Sequence, residues 1–271
     1  MIDFDKIINT GNLYNFHSHT QFCDGHAPME DFVKEAIAER FTDYGFSPHS
    51  PIPFESPCNM SMAAVDMYIN EFYRLKNMYG DKINLYMSME IDYLGTQWGP
   101  ANEYFDTLPL DYRIGSVHFI PSFNDSGKYI DIDGRYPAFK QKMELYFNND
   151  IKSVVECFYN ETISMIEAGG FDIIGHFDKI GHNAGHFQEG IENEDWYNSL
   201  VMRTFEAIMD HHLIIEVNTK AYTEHNRFFP NIRYFEILKK SGATLLINSD
   251  AHYPQLINSG RLEALKLLGL I

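Results

Sequence analysis

Seven short apolar runs divide the chain: LYNF (13–16), TDYGFS (42–47), INLYMSM (83–89), YRIGSV (112–117), FDIIG (171–175), LIIEVN (213–218) and ATLLINS (243–249). Their lengths suit buried strands. The segments between them carry helix patterns with recognisable ends. Pro28 followed by Glu30 and Asp31 suits a first helical turn ahead of an apolar face of Phe32, Val33, Ala36 and Ile37. Ser61 is placed to cap a helix reaching Met78, and Asp150 one that stops at Gly169 and Gly170. Further helical patterns cover 195–211, 231–241 and 260–268.

Strands alternating with long helices imply βαβ units and a parallel sheet. Seven such strands in 271 residues favour an α/β barrel over an open doubly wound sheet. There is no GxGxxG after the first run and no GxxxxGK[ST], which argues against the open nucleotide-binding folds. With no repeat, low-complexity tract or Pro/Ser-rich linker, residues 1–271 read as a single domain.

Charge and composition narrow the function. A formal net charge of −17 opposes the basic surface that nucleic acids and anionic membranes require. No apolar stretch approaches the roughly 18 residues of a membrane span. The start, MIDFDKIINTG, lacks the basic and apolar regions of a secretory signal, and the three scattered cysteines form no CxxC pair. Both point to a cytoplasmic protein; oligomeric state is open.

Ionisable residues recur at one structural level. His17 and His19 follow the first run, His49 the second, Glu90 the third, His118 the fourth, His176 the fifth, and Asp250 with His252 the seventh. In a parallel β/α barrel the C-terminal strand ends converge on one face, where catalytic groups come from several strands. Residues two apart on a strand share a side, so His17 and His19 can reach one ion, as can Asp250 and His252. Asp24 could add an oxygen. Nitrogen with carboxylate donors suits zinc, manganese or iron better than magnesium or calcium. His26, His182, His186, His211, His212 and His225 read more simply as surface or packing residues.

HSHT (17–20) with CDG (23–25), PH (48–49), ME (89–90), SVH (116–118), IGHFD (174–178) and NSDAH (248–252) resemble the successive motifs of the PHP (polymerase and histidinol phosphatase) family. The GSVHF, IGHFDKIG and EVNT stretches are most similar to its stand-alone histidinol-phosphate phosphatases. The resemblance implies a distorted (β/α)7 TIM-like barrel and a site for three divalent ions. It would give one ion to His17, His19, Glu90 and Asp250. A second would go to His49, His252 and Asp24, with His26 as the alternative to Asp24. A third would go to His118 and His176, with Glu90 bridging. The implied reaction is hydrolysis of L-histidinol phosphate to L-histidinol and phosphate; a nucleotide or another small phosphate ester is the alternative substrate, and a non-catalytic metal-binding module the third reading.

Clustered divalent ions acidify water and polarise phosphoryl oxygens, so the expected attack is by metal-activated hydroxide without a protein nucleophile. The other phosphatase chemistries fit poorly. Six residues after Cys23, Cys58 and Cys157 stand Met29, Ala64 and Ile163 where a cysteine phosphatase needs arginine. Asp3/Asp5 and Asp131/Asp133 fall short of DxDx[TV] because Ile7 and Arg135 end them. The DIDG stretch fails as a calcium loop and reads as solvated. For phosphate recognition Lys179 and Arg227 are best placed, followed by Arg113 and Lys220. Asp178 is the side-chain candidate for protonating the leaving group, beside a nearby histidine or a metal-bound water. Glu55 and Glu224 could face a cationic substrate, and Phe119, Tyr222 and Phe228 could sandwich an imidazole.

Overall fold

The computed structural model describes residues 2–11 and 13–271. Its strands are β1 (Tyr14–Asn15), β2 (Asp43–Phe46), β3 (Asn84–Met87), β4 (Glu90–Asp92), β5 (Ile114–Ser116), β6 (Phe119–Pro121), β7 (Tyr129–Asp131), β8 (Ile173–Ile174), β9 (Ile214–Asn218) and β10 (Leu245–Asn248). One parallel sheet runs β1-β2-β3 and another β10-β9-β8-β5-β4. β3 lies within the INLYMSM run, and β4 follows it after a break at Ser88 and Met89.

Two isolated parallel bridges join the sheets. His49 pairs with Glu90 beyond β2, and Ser18 pairs with Ala251 beyond β1 and β10. At the second seam, side chains stand in for a ladder. Phe16 N–H donates to Asn248 Oδ1 at 2.9 Å, Ser249 N–H to Asn15 Oδ1 at 3.0 Å, and Ile247 N–H to the Tyr14 hydroxyl at 3.2 Å. Buried backbone N–H groups need such partners wherever strands diverge. The ring β1, β2, β3/β4, β5, β8, β9, β10 is thus a distorted seven-stave (β/α) barrel.

The helices form where their ends are capped and one face is apolar. Asp150 accepts from Ser153 N–H at 3.1 Å and opens helix Ile151–Ala168, which stops at Gly169 with φ 73°. Only glycine adopts that φ without steric cost. The helix buries Val154, Val155, Phe158, Tyr159, Met165 and Ile166 against the barrel wall. Pro28 precedes helix Met29–Ala38 as expected. Ser61 makes no side-chain cap bond; a 3-10 turn, Met62–Ala64, leads into helix Val65–Tyr79 instead. The 231–241 pattern is split into a 3-10 turn, Ile232–Tyr234, and helix Phe235–Ser241.

The stretch read as a solvated loop is ordered. β6 and β7 pair antiparallel, because Ile120, Ile130 and Ile132 bury into the main core. No helix among the described residues is long and apolar enough to cross a membrane.

Candidate metal centre

The strand ends bring nine of the expected groups together. Four sets of side chains have ligand atoms close enough to share a cation: His17/His19/Asp250, His19/Asp24/His49/His252, Glu90/His118/His176 and His49/Asp92/His118. His19 faces two of them, with Nε2 at 2.9 Å from Asp250 Oδ1 and Nδ1 at 3.6 Å from Asp24 Oδ1. Glu90 is central. Its Oε1 lies 2.8 Å from His176 Nε2 and 3.4 Å from His118 Nε2, and its Oε2 lies 3.2 Å from both His17 Nε2 and His49 Nδ1.

Local geometry explains how these side chains arrive. Tight turns hold the loop after His19, where Cys23 N–H and Gly25 N–H both donate to the Thr20 carbonyl at 3.0 Å. A Cβ on Gly25 would collide with the Thr20 backbone, so glycine is required for Asp24 to turn inward. Asp24 Oδ1 then lies 3.3 Å from His252 Nε2. His26 points away, exposed and stacked on Tyr253 with ring centroids 4.4 Å apart. Asp250 holds φ at 49°, a strained value for a residue with a side chain.

A supporting layer fixes the imidazoles. Glu216, fully buried on β9, accepts from His17 Nδ1 at 2.7 Å, His176 N–H at 3.0 Å, Asn248 Nδ2 at 3.0 Å and Asn218 Nδ2 at 3.1 Å. Asp92 accepts from His118 Nδ1 at 2.7 Å, and the Asp250 carbonyl from His252 Nδ1 at 3.0 Å. Each bond engages one ring nitrogen and aims the other inward, as metal-ligating histidines require. Sequence reasoning missed Glu216 and Asp92. A carboxylate inside the apolar LIIEVN run, and the same-face spacing of Glu90 and Asp92, were the available signals.

His17 Nε2, His19 Nε2, His49 Nδ1, Asp24 Oδ1 and Glu90 Oε2 are buried without hydrogen-bond partners. Each such atom costs about 1–3 kcal/mol if nothing compensates it. Their convergence fits cations held between them.

Electrostatics agree. Burial alone would raise the Glu90 and Asp250 carboxyls, yet the surrounding histidines, and Lys220 for Asp250, hold both well below the usual carboxylate range. At His17, burial works against protonation, but Glu216, Glu90 and Asp250 outweigh it and raise the pKa. At His19, burial and the neighbouring His252 and His49 lower it.

The remaining expected residues divide. Lys179 Nζ lies 2.7 Å from Asp133 Oδ2, and Lys220 Nζ lies 3.2 Å from Asp250 Oδ1 and 3.3 Å from His252 Nε2. Both line a cavity of about 500 Å³. Asp178 and Arg227 do not join the cluster: no hydrogen bond or ion pair links either to it among the described residues. Asp178 is fully buried, accepting from Asn231 N–H at 2.7 Å and Arg227 at 3.4 Å, while Arg227 pairs with Glu192 at 2.8 Å. Burial pushes the Asp178 carboxyl up to about 7 against the pull of Arg227.

Arg113 is spent on Asp106, Pro100 and Gly170 at the opposite end of β5. Tyr222 and Phe228 stack on each other at 4.6 Å, and Phe119 packs on Phe54 at 5.6 Å, so none offers a free ring pair. Glu224 lines the cavity, and Glu55 lines a separate surface hollow.

A family model described as the PHP domain matches residues 15–220. The chain belongs to the PHP family. This PHP chain is 28% identical over 252 residues to a probable histidinol-phosphatase of Schizosaccharomyces pombe, covering 88% of this chain and 80% of that protein. It is 22% identical over 241 residues to a histidinol-phosphatase of Lactococcus lactis, covering 88% and 83%. Among solved structures it is similar to a putative histidinol phosphatase of Listeria monocytogenes, with TM-score 0.81 and 18% identity over 92% of this chain and 99% of that one. It is also similar to the histidinol phosphate phosphatase of Lactococcus lactis complexed with zinc, L-histidinol and phosphate, with TM-score 0.69 and 18% identity over 94% and 92%. These likenesses agree with the PHP chain's distorted barrel.

Proposed function

We propose that this PHP chain is a metal-dependent phosphomonoesterase that hydrolyses L-histidinol phosphate to L-histidinol and phosphate. The observation that carries the chemistry is the convergence of buried, unpartnered histidine and carboxylate atoms beside a cavity lined by Lys179 and Lys220. The substrate follows the names of the relatives.

His17, His19 and Asp250 with Glu90 would hold one ion, Asp24, His49 and His252 a second, and Glu90, His118 and His176 a third. Zinc, manganese and iron suit these donors. Divalent ions there would supply Lewis-acid polarisation of the phosphoryl group and acidify water near neutral pH.

The chain's own residues do the rest. Glu216 and Asp92 hold His17 and His118 in the tautomer that presents Nε2. Lys220, 39% exposed, can leave Asp250 and swing onto a phosphate oxygen. Lys179 is kept charged because Asp133, with Asp250 and Glu90 beyond it, outweighs the effect of burial. Both offset a dianion in a strongly acidic protein.

The deciding experiment is steady-state assay with histidinol phosphate, nucleoside monophosphates and an aryl phosphate, before and after chelation. Metal-dependent turnover with a clear preference for histidinol phosphate is expected. Equal turnover of all three would overturn the substrate assignment, and activity that survives full chelation would overturn the metal chemistry.

A further inference from the structure

The cavity has two unlike ends. At one, Lys220 is both a wall residue and a neighbour of Asp250 and His252, so this end adjoins the metal-binding cluster. The other end is a belt of rings. His182 lies 4.8 Å from His186 and 4.6 Å from His225, centroid to centroid, and Tyr136 lies 5.4 Å from His186. Sequence reading assigned the three histidines to surface or packing roles, yet all three, with Tyr136, line the cavity.

We infer that this belt is the seat of the leaving group, with an imidazole packed on the rings of His182 and Tyr136 and its N–H donating to His182. The substituent ammonium would face the carboxylates of Asp133 and Glu224 on the same wall. This rests on the reading of the substrate as histidinol phosphate, and it assigns the residues that select that ester from others.

Three observations support it. The ring nitrogens of His182 have no hydrogen-bond partner among the described residues, so the ring is free to accept one. Burial, with His225, His186 and Arg227 nearby, lowers its pKa to about 4, so it is a neutral acceptor at physiological pH. A stack of aromatic rings binds a flat heterocycle at offset or edge contacts worth about 0.5–1.5 kcal/mol each beyond burial. A metal ion is the other occupant three histidines suggest. Their nitrogens do not converge as the main cluster's do.

The test uses the metal-loaded enzyme and its His182→Ala and Tyr136→Leu variants. Each is assayed on histidinol phosphate and on O-phosphoethanolamine, an amino-alcohol phosphate lacking the ring, and titrated calorimetrically with histidinol. In both variants the ratio of kcat/KM for the two esters should fall about tenfold, and the histidinol Kd should rise about tenfold. The inference is overturned if ratio and Kd stay within about twofold of wild type, or if both esters lose activity equally while histidinol still binds. Should one variant fail to fold, the other decides. If the wild type does not hydrolyse histidinol phosphate at all, the functional reading fails first and the seat falls with it.

Discussion

Glu216 Oε1 accepts from His17 Nδ1 at 2.7 Å, while its other oxygen accepts from the His176 backbone N–H at 3.0 Å. One buried carboxylate therefore positions candidate ligands from two strands, β1 and the end of β8. Replacing Glu216 with Gln keeps the shape but removes the charge and one acceptor. We expect metal affinity to fall about 10- to 100-fold, with kcat/KM following. Chelator competition on folded protein measures it; wild-type affinity would show that Glu216 merely packs.

Asp24 and His26 separate cleanly. Asp24→Ala should weaken binding of one metal equivalent by at least about tenfold, because it removes the oxygen facing His19, His49 and His252. His26→Ala should leave metal stoichiometry and affinity within about twofold, since its ring is stacked on Tyr253. Metal analysis of the two purified variants decides. The reverse ranking would move the ligand to His26.

Arg227 neutralises two carboxylates, Asp178 and Glu192, in a largely buried setting. Arg227→Ala should therefore cost about 1–3 kcal/mol of stability, the penalty for leaving buried polar groups without their partner. Denaturant unfolding will show it as a lower midpoint. An unchanged midpoint with a raised KM would return Arg227 to phosphate recognition.

His182 supplies a pH signature. Its folded pKa of about 4 lies below the unfolded value near 6.5, so the native state disfavours its charge. The stability tied to this neutral ring is fully present above pH 6.5 and is lost as pH falls toward 4. In chelated protein, wild type should lose about 1–2 kcal/mol relative to His182→Gln between pH 7 and pH 4, after allowance for partial solvent screening. Parallel stability profiles for the two proteins would contradict it.

Much of the candidate site was legible because donor groups at strand ends leave a periodic trace: an apolar run, then an imidazole or carboxylate, at His17, His49, Glu90, His118, His176 and Asp250. The pairing of Asp178 with Arg227 could not be read, because a charged residue near a strand end looks the same in sequence whether it faces the barrel axis or packs outward. That His182, His186 and His225 line one cavity was hidden for the converse reason. They come from helix Ile180–Phe187 and helix Tyr222–His225, and nothing local says that these two pieces meet.

The sequence alone determined the seven-fold alternation, the ligand chemistry and the family motifs, since these depend on residue type and local spacing. Tertiary structure decided the rest. It closed the barrel through the Asn15 and Asn248 side chains, turned Asp24 inward over Gly25, and set Glu216 behind His17. Each of those outcomes joins residues distant in the chain, or depends on a steric fit that only the folded backbone creates.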